Sequence, residues 1–169
     1  MAAPAPKKLL ALDTNLLFDL AAEKDFAHAF REVYQERGYS LVVPPTAIQE
    51  LAHCALEKQC AETPLALKAL QKMRFWKLSP FDLKSVGHGI TEQFAKKLLR
   101  LGLLPEGEFN DGLILAEAAL ANIPALVTSD ADLLDIEAIK LAAQFEAADL
   151  PPVVICHPKL LLKAMAAKR

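Results

Sequence analysis

Hydrophobic positions along the chain follow two alternating rhythms. Four short apolar runs, "LLALD" (9–13), "SLVVP" (40–44), "ALVTS" (125–129) and "VVIC" (153–156), are flanked by Pro, Ser or Asp. Runs of this length and composition predict strands covered on both faces. Longer stretches with a helical period lie between them. In "DFAHAFREVYQERG", Phe26, Phe30, Val33 and Tyr34 share a face, and Gly38 marks a stop. "PTAIQELAHCALEK" sets Ile48, Leu51, Ala52 and Ala55 at helical spacing after Pro44 and Pro45. "TPLALKALQKMRFW" repeats the pattern, with Thr63 expected as N-cap and Pro64 as the first helical residue. "TEQFAKKLLRLG" aligns Phe94, Leu98 and Leu101 before Gly102, and "FNDGLILAEAALANI" is apolar enough to be nearly buried. "DIEAIKLAAQFEAA" and "PKLLLKAMAAK" complete the helical set.

Strands alternating with helices imply right-handed crossovers and a parallel sheet. The expected fold is therefore α/β, a three-layer α/β/α arrangement with a central parallel sheet. The stretch from about 57 to 107 reads as all-helical, an insertion packed on the domain. Residues 1–8 are expected to form a flexible tail and residues 9–169 a single domain, which suits a chain of 169 residues.

Composition narrows the class. The chain is 53% hydrophobic, which argues against disorder. No apolar run approaches the roughly 18 residues of a membrane span. The start "MAAPAPKK" lacks the apolar core of a secretory signal, so a soluble, cytoplasmic protein is expected. Three cysteines, Cys54, Cys60 and Cys156, are an odd number without an export signal, and reduced thiols are the simplest reading. A zinc site at Cys54, Cys60 and His53 is the weaker alternative to simple packing of Cys54. A net charge of −2 gives no bulk support for nucleic-acid binding. The basic cluster Lys68, Lys72, Arg74 and Lys77 reads as a solvated helix face. Any polyanionic substrate must therefore be argued from a site.

The acids supply one. Asp13 ends the first predicted strand and Asp130 follows the third, so both fall where open α/β sheets bind ligands. Glu50 lies about one helical turn beyond the second strand. Asp111 lies in the first turn of the most apolar helix, where the macrodipole favours a negative group. Each has a bland reading taken alone. Asp13, Thr14 and Asp130 could cap helices, Asp111 could serve only the helix end, and Glu50 could be a surface charge. Together, clustered carboxylates repel one another and call for protons or a cation. A hard ion such as Mg²⁺ or Mn²⁺ suits all-oxygen ligands and can activate water against a phosphodiester. Thr14 and Asn15 are candidates to orient ligands or bound water. Asp19 reads as a helix-surface charge, and His28, His88 and His157 as structural or solvated.

The segments "LALDTNLLFDL", "VVPPTAIQEL", "EFNDGLILAEAA" and "ALVTSDADLL", with the ending "PPVVICHPKLLLKA", resemble a PIN-domain ribonuclease. The resemblance covers most of the chain outside about 57–107. It implies a Mg²⁺- or Mn²⁺-dependent endonuclease acting on RNA. By motif position it implies an acidic quartet of Asp13, Glu50, Asp111 and Asp130, with Asp132 as a further acid. Thr128 and Ser129 stand where the family tends to place a small polar residue near the metal. Many bacterial members are toxins of toxin–antitoxin pairs, so a small antitoxin and a homodimer are implied partners. The long 57–107 stretch and the "DIEAIKLAAQFEAADLPP" extension depart from the compact toxins. Glu108 is read as capping its helix rather than joining the site. Three rivals stay open. An aspartyl-nucleophile phosphohydrolase of the haloacid dehalogenase type usually repeats Asp two residues on, where this chain has Asn15. A receiver domain expects an early acidic pair on its first loop. A non-catalytic PIN-like RNA- or protein-binding module would not need the full quartet.

Overall fold

In the computed structural model, residues 8–57 and 60–168 are described. Chain order runs β1 (Lys8–Leu12), α1 (Thr14–Ala21), α2 (Asp25–Glu36), β2 (Tyr39–Val43), α3 (Pro45–Leu56) and α4 (Thr63–Lys72). It continues with β3 (Ser79–Pro80), α5 (Ser85–Arg100), α6 (Phe109–Leu120), β4 (Ala125–Val127), α7 (Ala131–Leu134), α8 (Ala138–Ala147), β5 (Val154–Cys156) and α9 (Pro158–Ala167). The five strands form one parallel sheet in the order β3-β2-β1-β4-β5, flanked by helices in an α/β/α arrangement.

Strand order explains where a site can form. From β1 the chain steps outward to β2 and β3, then returns to the other side of β1 to make β4 and β5. The crossovers diverge between β1 and β4, leaving a crevice beyond the carboxyl ends of these two strands. There Leu12 is in register with Val127, and the Asp13 N–H donates to the Val127 carbonyl at 3.0 Å. The strands are fully covered: Ala11, Leu12, Val43, Leu126 and Val127 are buried. That is why they read as continuous apolar runs and not as alternating ones.

Helices α5 and α6 approach unusually closely. A Cβ on Gly112 would lie 2.8 Å from both Cα and Cβ of Ala95. Glycine in a helix interior costs about 1 kcal/mol relative to alanine, and here only glycine leaves room for the neighbouring backbone. The contact fixes the first turn of α6, one residue from Asp111. On the far side, the rings of Phe94 and Phe145 stack with centroids 4.8 Å apart, joining α5 to α8.

Several expectations need correction. The 57–107 stretch is not all-helical, because β3 forms the sheet edge through Val42↔Ser79 and Val43↔Pro80. Two residues ending in proline carry no strand pattern, and proline is tolerated at an edge. Helix α5 begins at Ser85, ahead of the expected "TEQF" start. Thr63 does not cap α4; Glu62 holds that position. The Thr63 hydroxyl lies 2.8, 2.8 and 2.9 Å from the carbonyls of Cys54, Glu57 and Cys60, tying the start of α4 to the end of α3. Cys54 and Cys60 are not reduced thiols but form a disulfide, with Cα atoms 5.9 Å apart. The chain doubles back after α3 and brings them to bridging distance. The zinc reading thereby loses both thiolates, and Cys156 is the free cysteine. Lys8 belongs to β1, and the rest of the expected tail lies outside the described residues. No helix among the described residues is long and apolar enough to cross a membrane.

Candidate active site

Four elements deliver acids to the crevice. Asp13 follows β1 at the N-cap position of α1, yet its side chain makes no capping bond. Its Oδ2 accepts from Thr128 Oγ1 at 2.8 Å, and the residue is 2% exposed. Burial pushes its pKa up to about 6, and the Asp130 charge adds to this, while the Thr128 hydroxyl and the Thr14 and Asn15 amides pull it back. Thr128 also accepts from the Asp130 N–H at 2.9 Å, so one hydroxyl links the β1 and β4 exits.

Glu50 reaches the crevice from α3. Thr14 Oγ1 donates to its Oε1 at 3.0 Å across 36 residues of sequence. Burial raises its pKa to about 7, helped by the charges of Asp13 and Glu108 and opposed by hydrogen bonds from Thr14 and Asn110. Glu50 also borders a small cavity shared with Thr46, Gln49, His53 and Asn110.

Asp111 is the most perturbed acid. It is buried, and burial together with Asp13, Asp130 and Glu108 raises its pKa to about 9. Its Oδ2 is a buried oxygen with no hydrogen-bond partner. Native proteins rarely leave such an atom unsatisfied. Asp130 both lines the crevice and caps α7, accepting from the Asp132 N–H at 3.0 Å.

The structure thus gathers Asp13, Glu50, Asp111 and Asp130, and sorts the other candidates. Thr14 and Thr128 hold acids in place. The Asn15 side chain is exposed, and only its backbone amide bears on Asp13. Asp132 is exposed and donates its amide to Asp130; its carboxylate stands outside the closest acid group. Ser129 turns away from the cluster, donating to Asp19. Glu108 was expected only to cap α6, but it makes no capping bond. Glu108, Asp111 and Asp130 instead offer carboxylate oxygens that lie within 4.8 Å of one another. An all-oxygen group with one buried, unpartnered carboxylate oxygen fits a hard divalent cation.

Two further buried acids escaped sequence reasoning. Asp19 is not a surface charge; it is 6% exposed, pairs with Lys24 Nζ at 2.7 Å and accepts from Ser129. Its position three residues after buried Leu16 was the available signal, since i and i+3 share a helix face. Glu117 is 2% exposed and accepts from both the amide of Thr46, at 3.1 Å, and its hydroxyl, at 2.6 Å. An acid amid the alanines of the most apolar helix was the signal there. The expectation for the histidines agrees with their contacts: His28 meets the Leu20 carbonyl, His88 pairs with Asp82, and His157 caps α9.

A family model described as the PIN domain matches residues 10–139. No curated protein sequence matches the chain significantly. Among solved structures, VapBC2 from Rickettsia felis, bound to a DNA fragment from its promoter, is similar with a TM-score of 0.58 at 17% identity, over 88% of this chain and 98% of that one. DNA-bound VapBC from Salmonella typhimurium is similar with a TM-score of 0.56 at 19% identity, over 90% and 99%. Mycobacterium tuberculosis VapC20, a sarcin-ricin loop cleaving toxin, is similar with a TM-score of 0.51 at 16% identity, over 74% and 92%. At these identities the structural likeness establishes the fold.

Proposed function

This chain belongs to the PIN-domain family, and on that premise we propose that it is a Mg²⁺- or Mn²⁺-dependent endoribonuclease, hydrolysing RNA phosphodiester bonds as the toxin of a toxin–antitoxin pair. The observation that carries the reading is the buried, unpartnered Oδ2 of Asp111 amid further acids at the sheet's switch point. In this reading Asp13, Asp111 and Asp130 hold the cation, Glu50 completes the pocket, and Asp132 stands at its margin. When bound, such an ion neutralises charge on the phosphodiester and activates water.

The chain's own residues do the rest. Thr128 fixes Asp13, and Thr14 fixes one oxygen of Glu50. Glu50 lies near enough to Asp13 and Glu108 for their charges to raise its pKa, which sets it beside the water of this reading. Glu50 takes the proton of that water as its oxygen bonds to phosphorus. The bond from phosphorus to the leaving oxygen breaks, and solvent supplies that oxygen's proton.

Residues 9–169 act in this reading as one domain, with 57–107 as the insertion that carries β3. The partner is a small antitoxin, and the likeness to VapBC assemblies supports it. This reading also takes the chain to work as a homodimer in the cytoplasm. The test is an RNA cleavage assay with and without Mn²⁺, comparing the unmodified chain with Asp130→Asn. Cleavage should require Mn²⁺ and vanish in the variant. Cleavage that persists in EDTA, or in the variant, overturns the reading.

A further inference from the structure

We propose that Glu108 is a cation ligand of this site, leaving Glu50 free to act on water; the inference rests on the metal-dependent reading above. Glu108 and Asp111 are three residues apart at the start of α6, a spacing that sets both on one face of its first turn. Gly107, at φ +93°, forms a turn that only glycine adopts readily, and the Glu108 N–H closes it on the Pro105 carbonyl at 3.1 Å. That turn seats Glu108 at the N-cap, yet its carboxylate caps nothing. With Asp111 and Asp130 it brings three ligand oxygens from two distant segments within 4.8 Å. Among the described residues, no Lys, Arg or His lies within 4 Å of any of the three carboxylates.

A second observation points to a ligand. Asp111 is 7% exposed, and its buried Oδ2 has no partner. The two remaining acids of the quartet are already engaged with hydroxyls, Asp13 with Thr128 and Glu50 with Thr14. The one buried crevice oxygen without a partner among the described residues therefore belongs to the group that includes Glu108. A divalent cation seated there satisfies Asp111 and relieves the repulsion among all three.

The test titrates Mn²⁺ alone into the metal-free full-length chain by calorimetry, with no RNA present. Four proteins are compared: the unmodified chain, Glu108→Gln, Glu108→Asp and Glu106→Gln. Glu106 is an exposed neighbour and controls for a general loss of charge. Glu108→Gln should raise the Kd about tenfold or more, in the range seen when a metal site loses one supporting group. Glu106→Gln should stay within about twofold. Glu108→Asp, which keeps the charge and shortens the reach, should fall between, and guards against a folding defect in the glutamine variant. A Kd for Glu108→Gln no weaker than for Glu106→Gln overturns the assignment of Glu108. Absence of Mn²⁺ binding by the unmodified chain overturns the metal-dependent reading itself, so the two failures are distinct.

Discussion

Asp111 and Glu117 sit six residues apart on the same helix, both buried, and they live in opposite circumstances. Glu117 receives two hydrogen bonds from Thr46, a backbone amide and a hydroxyl. Asp111 keeps an oxygen with no donor at all and faces other acids. Burial raises both pKa values, but only around Glu117 do hydrogen bonds pull back. What sets Asp111 apart is not depth but a buried oxygen without a donor, set among other acids. Asp19 falls with Glu117, because Lys24 and Ser129 satisfy it. These satisfied acids join the elements that bear the unsatisfied ones. Glu117 ties α3, which carries Glu50, to α6, which carries Asp111. Asp19 ties α1 to the turn that carries Asp130.

The comparison is broken most sharply at Asp111. Asp111→Asn should lower the cleavage rate about a thousandfold, roughly 4 kcal/mol of barrier, while the metal-free protein melts no lower than the unmodified chain. A marked drop in melting temperature would place Asp111 among the structural acids instead. Glu117→Ala should do the reverse. It leaves the amide and hydroxyl of Thr46 buried without an acceptor, and should lower unfolding free energy in urea by about 2–3 kcal/mol. Glu117→Gln retains an acceptor and should recover more than half of that loss. A neutral Glu117→Ala would dissolve the distinction between the two acids.

A smaller effect should appear with pH in EDTA. The folded pKa of Asp111 is raised to about 9 from 3.8, so the folded chain holds a proton that the unfolded chain has released. The stability this proton confers is fully present below the unfolded value and is lost as pH rises through the window up to the folded one. Asp111→Asn lacks that dependence. Between pH 5 and pH 8 the variant should therefore gain on the unmodified chain, by about 1–2 kcal/mol when the proton is shared across the cluster. A constant gap over that range would mean that Asp111 is not held protonated in the fold.

Much of the frame was legible because parallel strands announce themselves. Once the ends of "LLALD" and "ALVTS" were read as strand ends, Asp13 and Asp130 fell at one edge without further information. Elsewhere, position along the chain carried no such message. Ser79–Pro80 was too short to show a pattern and is a strand only because β2 lies beside it. Asp19 and Glu117 look like ordinary helix charges because the donors that tie them to other elements, Ser129 and Thr46, are 110 and 71 residues away. Glu108 reads as a helix cap because acids are common at that position, and only the fold shows that its carboxylate makes no capping bond. Cys54 and Cys60 needed the fold-back after α3 to meet.

Thr128 carries a consequence for orientation. Its oxygen accepts the Asp130 N–H while its hydrogen goes to Asp13 Oδ2, so one hydroxyl is held from two sides at once. The hydroxyl rotor is thereby stopped. The Asp13 carboxylate is in turn held against the β4 exit, and the direction in which it faces the crevice is set before anything enters. A threonine placed behind the first acid of the chain decides how that acid is turned.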